Sequence, residues 1–390
     1  MTSTLITNIG LLVSGDPDIA PLRDTALLIE DRQIIEVGTE QSSADRIIDA
    51  GGQSVMPGLI DGHVHPTVGE WTPAQNSTGW VRNYLHGGTT SMVSAGELHI
   101  PGLPFEDLTP RLVTGLATLA RRTIGEYRPS GVKVHAGTLL LVPGLTAGDF
   151  DHLAEEGISQ LKFIFYDWSR LEDGEAQQYV SWAHERGMTV KMHSGGVSRS
   201  GSSRVAGHEL VTAVAPDVIA HISGGPIPMP DEEIVATIRD LPQATVEVCS
   251  SMNYRATQVT IDELVASTQL HRLTLGTDTP GGTGVIPRGM LRNICYLASV
   301  CGLSPELAVA AATGNVARRH RIPGGVLAAG QPADLLILGP IMGSRAQDVL
   351  ECFSLGDLPG ITLVMVDGEV LVEGRSEQTP PPKITATVRR

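Results

Sequence analysis

The chain has 390 residues, of which 41% are hydrophobic, so it can bury a substantial core in one large domain or in a barrel with a small companion. Only 4% of the residues are aromatic and the formal net charge is -15, which argues against nucleic acid or an anionic membrane as partner. We find no basic-then-apolar leader, no apolar run of about 18 residues and no metal-like cysteine spacing. We therefore expect a soluble, cytoplasmic protein that acts on a small molecule.

Short apolar runs alternate with turns at both ends of the chain, as they do in small β-domains. These runs are residues 5–9, 26–30, 33–37, 333–338 and 363–372. We interpret residues 1–55 and 323–390 as one composite β-sandwich domain that is built from both termini. Within it, we expect residues after about 376 to form an extended tail.

In residues 56–322, strand-like and helix-like segments alternate, which is typical of parallel βα units. The predicted strands are 55–63, 89–95, 132–140, 158–166, 189–194, 217–222, 244–249 and 272–277. The predicted helices include 108–127, 174–186, 231–239 and 305–319. This order predicts an α/β fold, a (β/α)8 TIM barrel, in which catalytic residues lie at the carboxyl ends of the strands.

Residues that can bind metals lie in or at the ends of these predicted strands. In chain order they are His63, His65, Lys162, His193, His221 and Asp278. Two histidines that are two residues apart on a strand point the same way, so His63 and His65 can share one metal ion. A lone His-x-His also occurs in ordinary strands, but the complete ordered set predicts a metal site at the mouth of the barrel.

Lys162 needs its own explanation, because it is one of only four lysines and lies in the apolar run 158–165. Burial lowers the pKa of a lysine, and the neutral amine can react with CO2 to give a carbamate anion. Such a carbamate has two oxygens and can bridge two metal ions. Alternatively, Lys162 faces outward or pairs with a carboxylate on a helix.

The predicted centre therefore holds two divalent metal ions, zinc first and iron or manganese as alternatives. His63, His65 and Asp278 would bind one metal, His193 and His221 the other, with carboxylated Lys162 between them. The two metals would turn a bridging water into a hydroxide that attacks a carbonyl carbon. Asp278 would take the hydroxide proton and pass it to the departing nitrogen.

Further candidate residues follow other predicted strands. His135 can hydrogen-bond the substrate carbonyl or the carbamate as a catalytic residue, or it can pack in the core. Glu97 and His99 can border the substrate pocket or lie in a solvated loop. Arg204 can bind a substrate carboxylate with a bidentate pair, or it is simply exposed. Tyr166 is a substrate-binding candidate beyond the fourth strand.

Two segments resemble the amidohydrolase superfamily. Residues 56–65, MPGLIDGHVH, match its first-strand motif, and residues 325–335, GVLAAGQPADL, match its return into the terminal β-domain. Within the superfamily the chain is most similar to the enamidases, which are cyclic-amide hydrolases. The segments that carry this similarity are 131–137, 192–196, 221–226 and 276–287. The resemblance implies a binuclear metal site, a homo-oligomer expected to be a tetramer, and hydrolysis of the C–N bond of a ring amide.

One departure leaves alternatives open. The enamidase pattern has a glutamate as bridging carboxylate, whereas Lys162 resembles the bridging lysine of dihydroorotases and hydantoinases. We expect hydrolysis of a lactam, an enamide or an imide. An acyclic amide or carbamate hydrolase would share the same ligands, and a mononuclear deaminase of this superfamily would not need Lys162. A catalytically dead scaffold would have lost ligands, and here every ligand position is filled.

Overall fold

The computed structural model describes the chain except for residues 1, 67–70, 73–74, 77–79, 98–101, 105–106, 165, 169–173, 197–204, 226, 252, 282–283 and 390. The strands are β1 Ser3–Leu12, β2 Leu22–Glu30, β3 Gln33–Val37, β4 Arg46–Asp49, β5 Ser54–Pro57, β6 Leu59–Val64, β7 Trp71–Thr72, β8 Gln75–Asn76, β9 Thr89–Ser94, β10 Lys133–His135, β11 Leu139–Leu140, β12 Gln160–Phe163, β13 Thr189–His193, β14 Val218–Ala220, β15 Thr245–Cys249, β16 Leu273–Gly276, β17 Leu335–Gly339, β18 Gly360–Val366, β19 Glu369–Glu373 and β20 Thr387–Arg389. The α-helices are α1 Trp80–His86, α2 Pro110–Tyr127, α3 Ala147–Glu155, α4 Glu175–Glu185, α5 His208–Val214, α6 Asp231–Asp240, α7 Tyr254–Ala266, α8 Gly289–Ser299, α9 Pro305–Ala311, α10 Gly314–His320 and α11 Val349–Leu355.

Strands from both ends of the chain form one nine-stranded sheet. Its main order is β19-β18-β17-β5-β1-β2-β3, and β4 pairs with β1. The prediction of an extended tail after about residue 376 is wrong, because β20 pairs with β4 and extends this sheet. The segment before β20 is also fixed, since the Ser376 hydroxyl donates to the His86 carbonyl and the Thr379 hydroxyl accepts from the Ile361 amide.

The middle of the chain is an α/β fold of parallel strands and intervening helices, as predicted. One sheet has the order β10-β9-β6 and the other the order β11-β12-β13-β14-β15-β16. β6, β9, β12, β13, β15 and β16 are buried along their whole length. Strands of parallel sheets are covered on both faces, which is why they read as continuous apolar runs rather than as alternating ones.

Three predicted elements are each divided in the structure, and one of them, the run 132–140, gives β10 and β11 in different sheets. The run 55–63 contains the end of β5, which pairs with β1 and β17, and most of β6, which pairs with β9. The chain changes sheets at Gly58, whose amide donates to the Asp334 carbonyl. The predicted helix 305–319 is α9 and α10, because Thr313 between them has non-helical backbone angles (φ -140°, ψ -94°).

The outer strands of the two parallel sheets, β6 and β16, meet at their carboxyl ends. The Asp278 amide donates to the His63 carbonyl at 2.9 Å, and the His65 amide donates to the Thr279 carbonyl at 2.7 Å. Residues that follow β16 therefore lie beside the end of β6. Among the described helices, none is long and apolar enough to span a lipid bilayer.

Candidate functional site

The contact between β6 and β16 brings three predicted metal ligands together. His65 Nε2 lies 3.1 Å and His63 Nε2 lies 3.5 Å from Asp278 Oδ1. These three side chains are buried, and each offers a ligand atom within 4.8 Å of the other two. The strand period explains the pair of histidines, since residues two apart point to the same side.

Hydrogen bonds on the far side of each ring decide which nitrogen faces this space. His63 Nδ1 lies 2.5 Å from Glu247 Oε1, and His65 Nδ1 lies 2.7 Å from the Gly96 carbonyl oxygen. Because both partners are acceptors, each Nδ1 donates, and in a neutral ring each Nε2 then presents its lone pair. Burial, followed by the charge of Lys162, holds the pKa of His63 well below its ordinary value. Two imidazole lone pairs and a carboxylate oxygen thus converge, and a cation there would relieve their repulsion.

His193 and His221 form a second pair beside this group. Their ring centroids lie 4.5 Å apart, and the ring of His221 lies 5.3 Å from that of His63. Burial lowers the pKa of His193 to about 4 and that of His221 well below its ordinary value, so both rings are neutral. The Nδ1 atom of each is buried, and within the described part of the chain it has no hydrogen-bond partner. Such orphaned nitrogens fit metal ligands, because a buried polar atom without a partner is costly.

Lys162 lies against the same group and is fully buried. Its Nζ is 3.3 Å from His63 Nε2. Burial, followed by the charge of Lys191, lowers the pKa of Lys162 to about 7. A large fraction of the amine is therefore neutral near neutral pH, which is the form that can react with CO2.

Lys191 is the neighbour of Lys162 across β12 and β13, but its charge is compensated. Its Nζ donates to Glu247 Oε2 at 2.7 Å and to the Gly62 carbonyl at 2.6 Å. Glu247 thus accepts from Lys191 with one oxygen and from His63 with the other. The sequence analysis missed Glu247 and Lys191, although each is a charged residue inside an apolar strand-like run, which is the signal that singled out Lys162.

Asp61 is a further residue that sequence reasoning left without a role. Its carboxylate accepts from the Thr277 amide at 2.9 Å, from the Thr277 hydroxyl at 2.5 Å and from the His63 amide at 3.2 Å. Burial raises its pKa to about 7. Asp61 therefore ties the end of β6 to the segment after β16.

The backbone is constrained where it presents the ligands. His221 and Asp278 both have positive φ angles, 35° and 61°, which non-glycine residues rarely adopt and which cluster at functional sites. Gly276 is required for a different reason, because a Cβ there would lie 2.6 Å from the Cβ of His63. The end of β16 can approach His63 only with glycine at that position.

Glu97 lies close to the cluster, directly after Gly96. It is fully buried, and its Oε1 accepts from the Ser94 hydroxyl at 2.8 Å and from the Gly137 amide at 2.9 Å. Its Oε2 is buried and has no hydrogen-bond partner among the described residues. Burial raises the pKa of Glu97 to about 7, so this carboxyl can be protonated near neutral pH.

The other candidates lie elsewhere. His135 lines a cavity of about 300 Å³ together with Arg121 and Lys133. Burial lowers its pKa to about 4. Tyr166 packs in an aromatic cluster against Phe163, and its hydroxyl donates to Glu175 at 2.5 Å. The roles predicted for His135 and Tyr166 stay predictions, and His99 and Arg204 lie outside the described residues.

Comparisons with known proteins agree on one family. The family model described as "Amidohydrolase family" matches residues 54–371. An enamidase of Eubacterium barkeri is 38% identical, and the alignment covers 100% of both chains. A solved structure of enamidase, described as a new member of the amidohydrolase superfamily, has a TM-score of 0.91 at 38% identity and full coverage of both chains. An imidazolonepropionase of Deinococcus deserti is 25% identical over 87% of this chain and 93% of its own.

Proposed function

Because the chain belongs to the amidohydrolase family and is a hydrolase of carbon–nitrogen bonds other than peptide bonds, we propose that its substrate is a cyclic amide. The ring would be a lactam, an enamide or an imide. The observation that carries this proposal is the convergence of His63, His65 and Asp278 beside a buried lysine. The full-length similarity to an enamidase supports a ring amide over an open-chain one.

We propose that these residues hold two divalent metal ions, with zinc as the first choice. His63, His65 and Asp278 would bind one ion, His193 and His221 the other, and Lys162 as its carbamate would lie between them. When bound, two such ions supply a hydroxide nucleophile at neutral pH and polarise the substrate carbonyl. A carbamate would also replace the buried cationic charge of Lys162 with a negative one, which suits a site that collects cations.

Asp278 is the residue that we propose moves the proton. Burial raises its pKa, but His65 and the other nearby basic groups outweigh burial and lower it to about 2. Asp278 is therefore ionised at neutral pH and can accept a proton as the nucleophile attacks. The departing ring nitrogen needs a proton to leave, and Asp278 can return it there.

We further propose that the eight parallel strands close into a (β/α)8 barrel, counting β10 and β11 as two halves of one strand. The hydrogen bonds between the ends of β6 and β16 support closure. We propose residues 56–322 as the barrel, and residues 1–55 and 323–390 as a β-sandwich domain. Because β5 extends to Pro57 in the terminal sheet, the first boundary lies closer to Gly58.

We also propose that the protein is a homotetramer and that it is located in the cytoplasm. The resemblance to enamidases supports a homotetramer. All four cysteines are free thiols, which fits a reducing compartment such as the cytoplasm.

The test is a panel of cyclic amides, incubated with the metal-loaded enzyme and followed by mass spectrometry for the addition of one water. We expect ring opening of at least one lactam, enamide or imide. Asp278→Asn should reduce turnover by at least about a hundredfold, which corresponds to loss of general acid–base catalysis. Hydrolysis of open-chain amides alone would favour the acyclic alternative. Release of ammonia from amino-substituted rings would favour a deaminase and would overturn the proposal.

A further inference from the structure

A second polar cavity lies at the opposite end of the parallel strands from the ligand cluster. It has a volume of about 290 Å³ and is lined by residues at the start of β15 and β16 and by the end of α10. Thr245 and Thr274 contribute from the strands, whereas His63 and Asp278 lie at carboxyl ends. The cavity is therefore separate from the proposed catalytic centre.

Four arginines line this cavity, namely Arg272, Arg318, Arg319 and Arg321. Arg272 is buried and satisfied by main-chain carbonyls, with distances of 2.7 Å to Ala244 and 2.6 Å to Leu241. Burial, followed by the charge of Arg319, lowers the pKa of Arg272 to about 10.

The other three arginines are poorly neutralised. Arg318 donates to the Asn315 side chain at 3.1 Å, and Arg321 donates to the Gly187 carbonyl at 2.6 Å. Among the described residues only Asp217 forms an ion pair with any of the four, at 3.9 Å from Arg319. The other oxygen of Asp217 lies 3.1 Å from His184, so even this carboxylate is shared.

Neutral groups hold Arg319 at the wall of the cavity. Its guanidinium donates to the Thr245 hydroxyl and, at 3.2 Å, to the Gln243 carbonyl. Both acceptors are neutral, so they position the guanidinium without balancing its charge. A guanidinium held in this way matches the needs of an oxyanion.

The end of a helix does not account for this charge. Arg318 and Arg319 lie in the last turn of α10 and Arg321 caps it, but a helix terminus carries only about half an elementary charge. The cavity beside His135 provides a comparison within the same molecule. There Lys133 pairs with Asp334 at 2.7 Å, and Arg128 pairs with Asp367 at 2.9 Å, so the positive charges are balanced.

We propose that the cavity at the start of β15 and β16 binds a small oxyanion, a phosphate or carboxylate group. Arg318 and Arg319 supply the positive charge, and their guanidinium groups donate to the anion. The site is distinct from the metal centre, so its presence does not depend on the proposed function.

The test is calorimetric titration of the metal-loaded enzyme with inorganic phosphate, in buffers whose ionic strength is matched with sodium chloride. Succinate, titrated in the same way, distinguishes a carboxylate ligand from a phosphate ligand. Arg318→Met should raise the Kd for the bound anion about tenfold, as expected for one hydrogen bond to a charged group. Arg121→Met, which removes the same charge from the other cavity, should leave the Kd unchanged.

The outcomes separate a built site from general attraction to positive charge. Equal Kd values for the wild type and Arg318→Met would mean binding at the metals or an adventitious ion only, and would overturn the proposal. The same holds if Arg318→Met and Arg121→Met weaken binding equally. Absence of binding of both anions by the wild type would also overturn it.

Discussion

At the scale of single residues, the two lysines that lie side by side in β12 and β13 differ in whether a carboxylate compensates their buried charge. Lys191 contacts the Glu247 carboxylate, and replacing either would leave the other charge buried without its partner. Lys162 is equally buried, but its described contact is with a histidine nitrogen. The chemistry that we propose for Lys162 follows from this difference, because an uncompensated buried amine favours its neutral form.

Lys162→Ala should lose metal and activity together. Without the side chain, no bridging oxygen can form, and the second metal would lack a shared ligand. A short carboxylic acid added to the mutant should restore part of the activity by occupying the vacated space. Lys383→Ala removes an exposed lysine and is the control. Full metal content and wild-type turnover in Lys162→Ala would exclude the bridging role.

Glu247 is expected to control metal affinity through His63. Its carboxylate accepts from His63 Nδ1 and so directs Nε2 toward the metal position. Loss of such a partner lowers metal affinity by about 10- to 100-fold. We therefore expect that decrease in Glu247→Ala, measured by zinc titration of metal-free protein against a competing chelator, with a smaller decrease in Glu247→Gln. An unchanged zinc affinity in Glu247→Ala would show that His63 is oriented without it.

Glu97 should make the free energy of unfolding of the protein depend on pH. Its folded pKa, about 7, is raised above the unfolded value of 4.5, so its stabilising effect is complete below about pH 4.5 and is lost as pH rises through 7. Between these limits the wild type should lose roughly 3 kcal/mol that Glu97→Gln does not lose. Urea unfolding of both metal-free proteins measures the difference, with the exposed Glu369→Gln as control. Parallel pH profiles for the wild type and Glu97→Gln would contradict this account.

At the scale of elements, the contact between β6 and β16 brings together ligands from the outer strands of the two parallel sheets. Asp61 on β6 and Thr277 after β16 hold this contact through two hydrogen bonds. The distance between His63 and Asp278 therefore depends on residues that do not themselves face a metal.

Thr277→Val should weaken the contact between β6 and β16. It removes the hydroxyl that donates to Asp61 and leaves a buried carboxylate with one donor fewer, which costs about 1–3 kcal/mol. Thr274→Val on the same strand is the matched control, because its hydroxyl has no partner among the described residues. Urea unfolding in chloride buffer should show the loss only for Thr277→Val. Equal stabilities for the two variants would show that the hydrogen bond from Thr277 to Asp61 does not stabilise the protein.

Parallel strands were predicted well from the sequence because burial on both faces makes them continuous apolar runs. The same property concealed the change of sheet at Gly58, since β5 and β6 are both fully buried and no polar residue lies in the stretch 55–60. The positions of His135 and Tyr166 depend on side-chain packing across elements, which strand order does not define. β20 was missed because a short strand after a proline-rich segment reads as a tail.

At the scale of the whole molecule, the family predicted from two motifs is confirmed by similarity along the entire chain. The nine-stranded sheet joins both termini, and the ligand cluster lies at the carboxyl ends of the parallel strands. The cationic cavity lies at the opposite ends of the same strands. The site that we propose for cations and the site that we propose for anions therefore lie at opposite ends of the same strands.

The central claim is that two metal ions occupy the cluster, and elemental analysis tests it most directly. The protein would be purified without chelators from cells grown with zinc, iron and manganese, and metal would be measured per chain. We predict close to two equivalents in the wild type and at most one in Lys162→Ala. One equivalent in the wild type, unchanged in Lys162→Ala, would contradict the bridged centre and would point to a single-metal enzyme.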